Sequence, residues 1–273
     1  MDVIAPEQRW PAVSSGYVFH DQQVREQEQR SCLSAAHDPL TLARLAETGV
    51  GPGWRCLEVG AGSGQVARWL ADRVAPTGSV LATELRPGLR PGPGLQVLAH
   101  DVVSDPLPAG EFDLVLARLV LRHLPQRHEV LAKLVRALRP GGWLQIDEFD
   151  TSYEPLLLAP DEESARLYEK FLAAKATVMR SAGVDADWGR RVPLAMRRAG
   201  LSGIDPRPHV QLRHRDSADL RLLAHHTEHL RDQLLAAGMT GPELTRVREV
   251  MLHPDFRATS SLMYSVHGRK PAR

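Results

Sequence analysis

Lysine is scarce in this chain of 273 residues: among 34 basic side chains only Lys133, Lys170, Lys175 and Lys270 are lysines. Asparagine is missing altogether. With abundant Ala, Gly, Pro and Arg, that bias points to a GC-rich genome rather than to a function. The two cysteines, Cys32 and Cys56, cannot build a disulfide framework. Cys56 lies in an apolar strand, where a free thiol acts as a small hydrophobe, so a reducing cytoplasm is the expected setting. No apolar run approaches the ~20 residues of a membrane span, and the N-terminus has no cationic-then-apolar signal pattern. No membrane is expected as a partner. Positive and negative charges nearly cancel, leaving a formal net charge of +1. That balance excludes a general drive toward nucleic acid, as does the lack of a basic tail or basic–aromatic stripe. The length is enough for one large domain with a sizeable core.

What is present is a strand that opens into three glycines and runs into a helix: Cys56-Leu57-Glu58-Val59-Gly60-Ala61-Gly62-Ser63-Gly64, then Gln65-Val66-Ala67-Arg68-Trp69-Leu70. Glycines remove Cβ atoms where a ligand must touch the backbone, and a helix N-terminus offers unpaired N–H groups to a carboxylate or phosphate. About 20 residues on, Ser79-Val80-Leu81-Ala82-Thr83-Glu84 ends in the acid expected for a ribose. A dinucleotide fingerprint requires a small sixth residue counted from Gly60, and that place is Gln65.

The E-x-G-x-G-x-G form, Glu58 to Gly64, instead resembles the first motif of class I S-adenosylmethionine (SAM)-dependent methyltransferases. Three further segments are similar to that family in order: Asp101-Val102 after the strand Leu95–Ala99, Phe112 to Arg118 as a fourth strand, and Leu138-Arg139-Pro140-Gly141-Gly142-Trp143-Leu144 as the turn into a fifth. The resemblance is close over roughly residues 50–150 and loose elsewhere, and suits the small-molecule, UbiE-like (type 11) group. It implies an α/β Rossmann-like fold: a seven-stranded, mostly parallel sheet with helices on both faces, one antiparallel strand near the C-terminus and a helical lid.

Strands and helices alternate over 55–59, 64–73, 79–83, 95–99, 112–117, 127–138 and 143–147, as a parallel sheet covered on both faces requires. Between Glu84 and Leu95, three prolines and three glycines exclude the helix that the family usually places there. The expected organisation is an arm and cap helices in 1–50 (Asp21–Ala36 and Thr41–Glu47), a SAM-binding core in 51–150, a helical lid in 151–200 and a C-terminal part, 201–273, completing the sheet. The lid is read as helices Asp161–Arg180 and Pro193–Ala199, with Leu156-Leu157-Leu158, Phe171 and Met179 suggesting a dry acceptor cavity. His209–Arg213 and Ser260–Val266 read as the last strands, with helices 216–237 and 242–252 between them.

The resemblance assigns the cofactor side to Tyr17, Glu58, Gly60, Ala61, Gly62, Gln65, Glu84, Leu85, Asp101, Val102 and Arg118. Gly60 and Gly62 would let backbone approach the methionine part of SAM. Glu84 would accept from both ribose hydroxyls. Asp101 would bond the adenine amino group, with the Val102 N–H on a ring nitrogen, and Tyr17 would close over SAM. On the catalytic side, His123 is the candidate base, since an unperturbed imidazole titrates near 6.5; a structural role bracing its loop is the competing reading. Glu148 and Asp150, read as lying just beyond the fifth strand, would orient an amine or hydroxyl acceptor. Arg122 stands where many relatives have an acid, which removes an acid–histidine pair.

No metal is expected: His225, His226 and His229 lack the H-E-x-x-H order of zinc proteases. The implied activity is methyl transfer from SAM to an O, N or C atom of a small organic molecule, in secondary metabolism. Two rivals stay open, namely a SAM-binding enzyme of non-methyl chemistry such as cyclisation, and a non-enzymatic SAM-binding protein. Nucleic-acid methylation is disfavoured, because Ala117-Arg118-Leu119-Val120 replaces the amino-methylation signature. A homodimer is left open.

Overall fold

The structure, a computed structural model, describes residues 23–272, with side chains from residue 28 onward. In chain order the elements are α1 (Gln23–Glu47), β1 (Arg55–Val59), α2 (Gln65–Val74), β2 (Ser79–Glu84), β3 (Leu95–Ala99), β4 (Phe112–Arg118), α3 (Arg127–Ala137) and β5 (Leu138–Asp150). They continue as β6 (Leu156–Leu158), α4 (Glu162–Ser181), α5 (Trp188–Arg198), β7 (Ser202–His209), β8 (Leu212–Arg213), α6 (Ala218–His229), α7 (Arg231–Ala236), α8 (Gly241–Met251), β9 (Arg257–Thr259) and β10 (Leu262–Arg269).

Seven strands form one sheet in the order β3-β2-β1-β4-β5-β10-β7. Pairings from β3 to β5 are parallel, whereas β10 runs antiparallel to both β5 and β7. This is the Rossmann-like class I methyltransferase arrangement, with the antiparallel strand near the C-terminus. Strand alternation feeds two cores. Leu57, Val59, Val115, Ala117, Leu144 and Ile146 face α3 and α5. Cys56, Leu114 and Leu116 face α2 and the end of α1. Burial pushes the Cys56 thiol up to about 12, helped by Asp113, which keeps it an inert core residue.

The second face of β5 is polar where it meets α1. Gln145 and Asp147 are fully buried there, and Thr41 of α1 donates to Asp147 Oδ2 at 2.7 Å. Burying such groups is tolerable only because they find partners: Gln145 donates to Asp147 and to the Thr41 carbonyl, and its Oε1 meets His267 Nε2 at 2.9 Å.

Several expectations need correction. The two expected N-terminal helices are a single α1 that contains Pro39. The edge strand is Ser202–His209, not His209–Arg213; Pro206 and Pro208 disguise it, and they fit because an edge strand need not donate on its outer side. Leu212–Arg213 belongs to a separate three-stranded sheet, β6-β9-β8. The 151–200 boundary does not isolate a lid, because α5 packs Trp188, Val192 and Met196 on the main sheet. A cap forms instead from α4, α6, α7, α8 and the small sheet around Tyr168, Phe171, Leu223, Leu244 and Phe256. Phe171 is buried in that core and Leu157 and Leu158 are exposed, so they do not wall a dry cavity together. The segment between β2 and β3 contains no helix, and its Leu89 is buried against the glycine loop.

Candidate functional site

The carboxyl ends of β1, β2 and β4 meet beneath α1. At the end of β1 the loop turns through Gly60 and Gly62, with φ of +73° and +53°. A Cβ on Gly60 would stand 2.5 Å from Val120 Cγ2, so glycine is required there for packing. Beside Gly62 the nearest such atom is the Gly60 carbonyl oxygen, 4.0 Å away. Among the described residues, a side chain at Gly62 would therefore stand in the open cradle beside the loop rather than against protein.

Glu84 ends β2 and turns toward this loop. Its Oε2 accepts the Gly62 N–H and its Oε1 accepts the Leu85 N–H, both at 3.0 Å. Each oxygen keeps acceptor capacity, as a ribose diol needs. Ala61 and Gly60 donate to the Thr83 carbonyl, and Gln65 begins α2. Glu58 lies 3% exposed under the loop with Oε2 lacking a hydrogen-bond partner among the described residues. Burial pushes its carboxyl up to about 8, partly offset by Arg118. An orphaned acceptor, a Cβ-free cradle and a strand-end carboxylate fit SAM.

Helix α1 closes the site from above. Arg118 pairs with Asp38 at 2.7 Å and donates to Thr41 at 3.2 Å. Arg30 reaches the Gly62 carbonyl at 3.5 Å, and the Ser34 and Ser63 hydroxyls meet at 2.8 Å. Asp101 uses Oδ1 to accept the Val103 N–H, a turn cap, beside buried Val102. Tyr17 lies outside the described residues.

After β4 the chain is strained and pinned. Leu119 has φ +55°, a region that costs a non-glycine residue, and strain of this kind collects at functional sites. Glu148 pins the turn Leu121–His123 by accepting the Leu121 and Arg122 N–H groups at Oε1, at 2.7 and 3.2 Å. Its Oε2 has no hydrogen-bond partner among the described residues. Glu148 and Asp150 lie within β5 and are buried, not beyond the strand in an open crevice. Asp150 is occupied by the Ser152 N–H and hydroxyl, with Arg190 at 3.5 Å.

Burial and neighbouring charge separate the catalytic candidates. His123 is pushed down to about 3, by burial first and then by Arg122 and Arg127. Glu148 is raised to about 7 by burial, against the pull of Arg122 and three backbone donors. An imidazole so depressed is a poor proton acceptor at neutral pH, whereas a carboxylate near 7 is matched to the task. The sequence singled out both residues but gave the base role to His123 and an orienting role to Glu148, because the burial that shifts each group is not a local pattern. In α6, the rings of His225 and His229 stack with centroids 6.1 Å apart. Glu47, Asp205 and His267 also cluster, yet Arg44 and Arg207 already pair with both carboxylates.

Residues 57–146 match the family described as methyltransferase domain. A ubiquinone/menaquinone biosynthesis C-methyltransferase, UbiE, of Cupriavidus taiwanensis is 30% identical over 160 residues, 55% of this chain and 66% of that protein. Methyltransferase str2 of Strobilurus tenacellus is 39% identical over 145 residues, 50% of this chain and 52% of that protein. This chain thus spans about half to two thirds of the lengths of these relatives. The structure of Haemonchus contortus phosphoethanolamine N-methyltransferase 2 with SAM superposes with a TM-score of 0.59 at 15% identity, covering 96% of this chain and 61% of that one. The chain belongs to the class I SAM-dependent methyltransferases, whose cofactor is SAM. Among the described residues no helix is long and apolar enough to cross a membrane.

Proposed function

We propose that this protein transfers a methyl group from SAM to an O, N or C atom of a small organic molecule, in secondary metabolism and in the cytoplasm. The observation that carries the reading is the Glu58–Gly64 loop with Glu84 folded against it and open space at Gly62. When bound, SAM supplies the methyl group and leaves as S-adenosylhomocysteine with the electron pair of the broken carbon–sulfur bond. The acceptor's lone pair forms the new bond.

The chain's own residues have three tasks. Glu84, with Gly60 and Gly62, fixes the ribose and methionine parts. Asp101, Val102 and Leu85 border the adenine side, with Arg118 toward the cap. Alignment supplies much of the rate, because holding acceptor and methyl in line converts a bimolecular step into a unimolecular one. Where the acceptor still carries a proton at neutral pH, Glu148 Oε2 is the better matched base, and His123 holds its turn.

The test is product formation with purified protein and SAM over a panel of phenols, amines and activated-methylene compounds. S-Adenosylhomocysteine must accumulate in step with a product that has gained one methyl. A product without S-adenosylhomocysteine would mean non-methyl chemistry, and SAM binding without any turnover would favour a binding protein. Glu84→Ala should weaken S-adenosylhomocysteine binding by about 1–3 kcal/mol, the cost of lost charge-assisted hydrogen bonds.

A further inference from the structure

Arg122 is a buried cation, 5% exposed, on the pinned turn after β4, and its Nε has no hydrogen-bond partner among the described residues. Among the described residues its guanidinium makes no ion pair; it lies over the Phe149 ring, 5.7 Å from the centroid. Its backbone is fixed on both sides. Its N–H goes to Glu148, and its carbonyl accepts the Asp185 N–H at 2.9 Å and Arg127 Nη2 at 3.5 Å. A charge held this far from water is costly unless something compensates it.

The carboxylates that act on it are already taken. Asp185 is held by Arg127 at 2.8 Å and by Arg191. Asp150 is engaged by Ser152 and Arg190. Glu154 accepts from Arg213 at 2.7 Å and from Ser261 at 2.8 Å. Glu148 spends Oε1 on two backbone donors and is only partly ionised at neutral pH. A second buried cation lies nearby: Lys175 of α4 pairs with Glu154 at 3.8 Å, and that carboxylate also serves Arg213. Arg213 is itself satisfied by Glu154 and Asp219. Between β5 and the cap, Arg122 thus sits among carboxylates whose close contacts go to other donors. The aromatic surface there, Phe149 with the His37 ring edge-on at 5.1 Å, gives an acceptor an apolar wall beside the charge.

We propose that Arg122 is the receptor for an oxyanion, a carboxylate or phosphate group, carried by the methyl acceptor. The inference rests on the methyl-transfer reading above and names the acceptor's chemical class. An anionic group on Arg122 anchors the acceptor, and its charge offsets that of the buried guanidinium. Neutral analogues lose this contact and bind weakly.

The test is isothermal titration of the full chain saturated with S-adenosylhomocysteine, at constant ionic strength, with sodium benzoate, benzamide and sodium phosphate as probes. Benzoate or phosphate should bind with a Kd of about 10 mM or tighter, and which of the two does so distinguishes a carboxylate from a phosphate acceptor. Benzamide should bind at least tenfold more weakly than benzoate. Arg122→Met should weaken the anion at least tenfold and leave benzamide unchanged, while Arg122→Lys should retain part of the affinity. Arg122→Met should also keep or raise Tm, since it removes an uncompensated buried charge. No anion binding by the wild type, equal binding by R122M, or an R122M that does not fold would each overturn the inference, the last by making the charge structural. Failure of S-adenosylhomocysteine itself to bind the wild type would instead count against the methyl-transfer reading.

Discussion

Asp38 of α1 and Arg118 at the end of β4 face each other across the site at 2.7 Å, with side chains only 8% and 11% exposed. Thr41, one turn further along α1, accepts from the same arginine and donates to Asp147 of β5. The helix over the cofactor cradle is therefore held by buried charge and hydrogen bonds that reach two sheet strands, as well as by apolar packing at Leu45.

Removing one partner of that pair should be expensive. Asp38→Ala leaves Arg118 uncompensated and should cost about 3–5 kcal/mol of stability, the usual penalty for breaking a buried pair. Chemical denaturation gives the number, and hydrogen exchange should show α1 opening faster than the main sheet. An unchanged midpoint would mean that α1 is held by packing alone.

The glycines of the loop should separate into two kinds. Gly60→Ala meets Val120 at 2.5 Å and must shift the turn, so it should lower Tm by several degrees as well as cofactor affinity. Gly62→Val meets no close atom among the described residues, and its cost to the fold is backbone strain of about 1–2 kcal/mol. It should nevertheless abolish S-adenosylhomocysteine binding. Thermal melts and titration of both variants decide it, and wild-type affinity in G62V would move the cofactor away from this loop.

The sequence made the candidate cofactor half readable because glycine spacing, strand alternation and the acid at Glu84 are local patterns. The loop lacking a helix between β2 and β3 was legible for the same reason, through its prolines and glycines. The cap was not. Its strands β6, β8 and β9 have only three, two and three residues, too short to show a period. The edge strand β7 was hidden by Pro206 and Pro208. The pin at Glu148 depends on a contact 27 residues away in sequence, to the Leu121 N–H. The unpaired state of Arg122 depends on where four acids have already been used. Such facts are tertiary, and no local pattern encodes them.

The choice between His123 and Glu148 can be read from kinetics once an acceptor is known. With its imidazole near 3, His123 should be dispensable as a base: His123→Ala should lower kcat less than about tenfold and leave the pH profile unchanged in shape. Glu148→Gln keeps an oxygen for the Leu121 and Arg122 N–H groups but removes the titration near 7. It should lower kcat by about 10²–10⁴ and flatten the limb of the profile near pH 7. If H123A removes that limb and E148Q keeps it, the roles are reversed.

The same shifts fix how stability depends on pH. Glu58 and Glu148 have an ordinary value of 4.5 and are raised to about 8 and about 7 in the fold. The folded state holds their protons more tightly, so their contribution is complete below pH 4.5 and is lost as pH rises through 7 and 8. His123 and His267 have an ordinary value of 6.5 and are depressed to about 3 and about 4. The unfolded state takes up their protons first, so stability falls as pH drops below 6.5. Glu154 and Asp219, lowered chiefly by Lys175 and Arg213 against the cost of burial, add to the loss in acid. These opposed slopes meet between pH 4.5 and 6.5, where the protein without ligand should be most stable. From pH 6.5 up to its folded value, each of the two glutamates should contribute a slope of up to about 1.4 kcal/mol per pH unit, set by the one proton that each exchanges on unfolding. Urea denaturation of wild type, Glu58→Gln and Glu148→Gln from pH 4 to 9 measures it. Each glutamine variant should flatten the alkaline limb, steepen the rise between pH 4.5 and 6.5 and leave the slope below pH 4.5 unchanged. A wild-type maximum at pH 8 or above would show that both carboxyls are ionised in the fold, and with that the base assignment at Glu148 would fall.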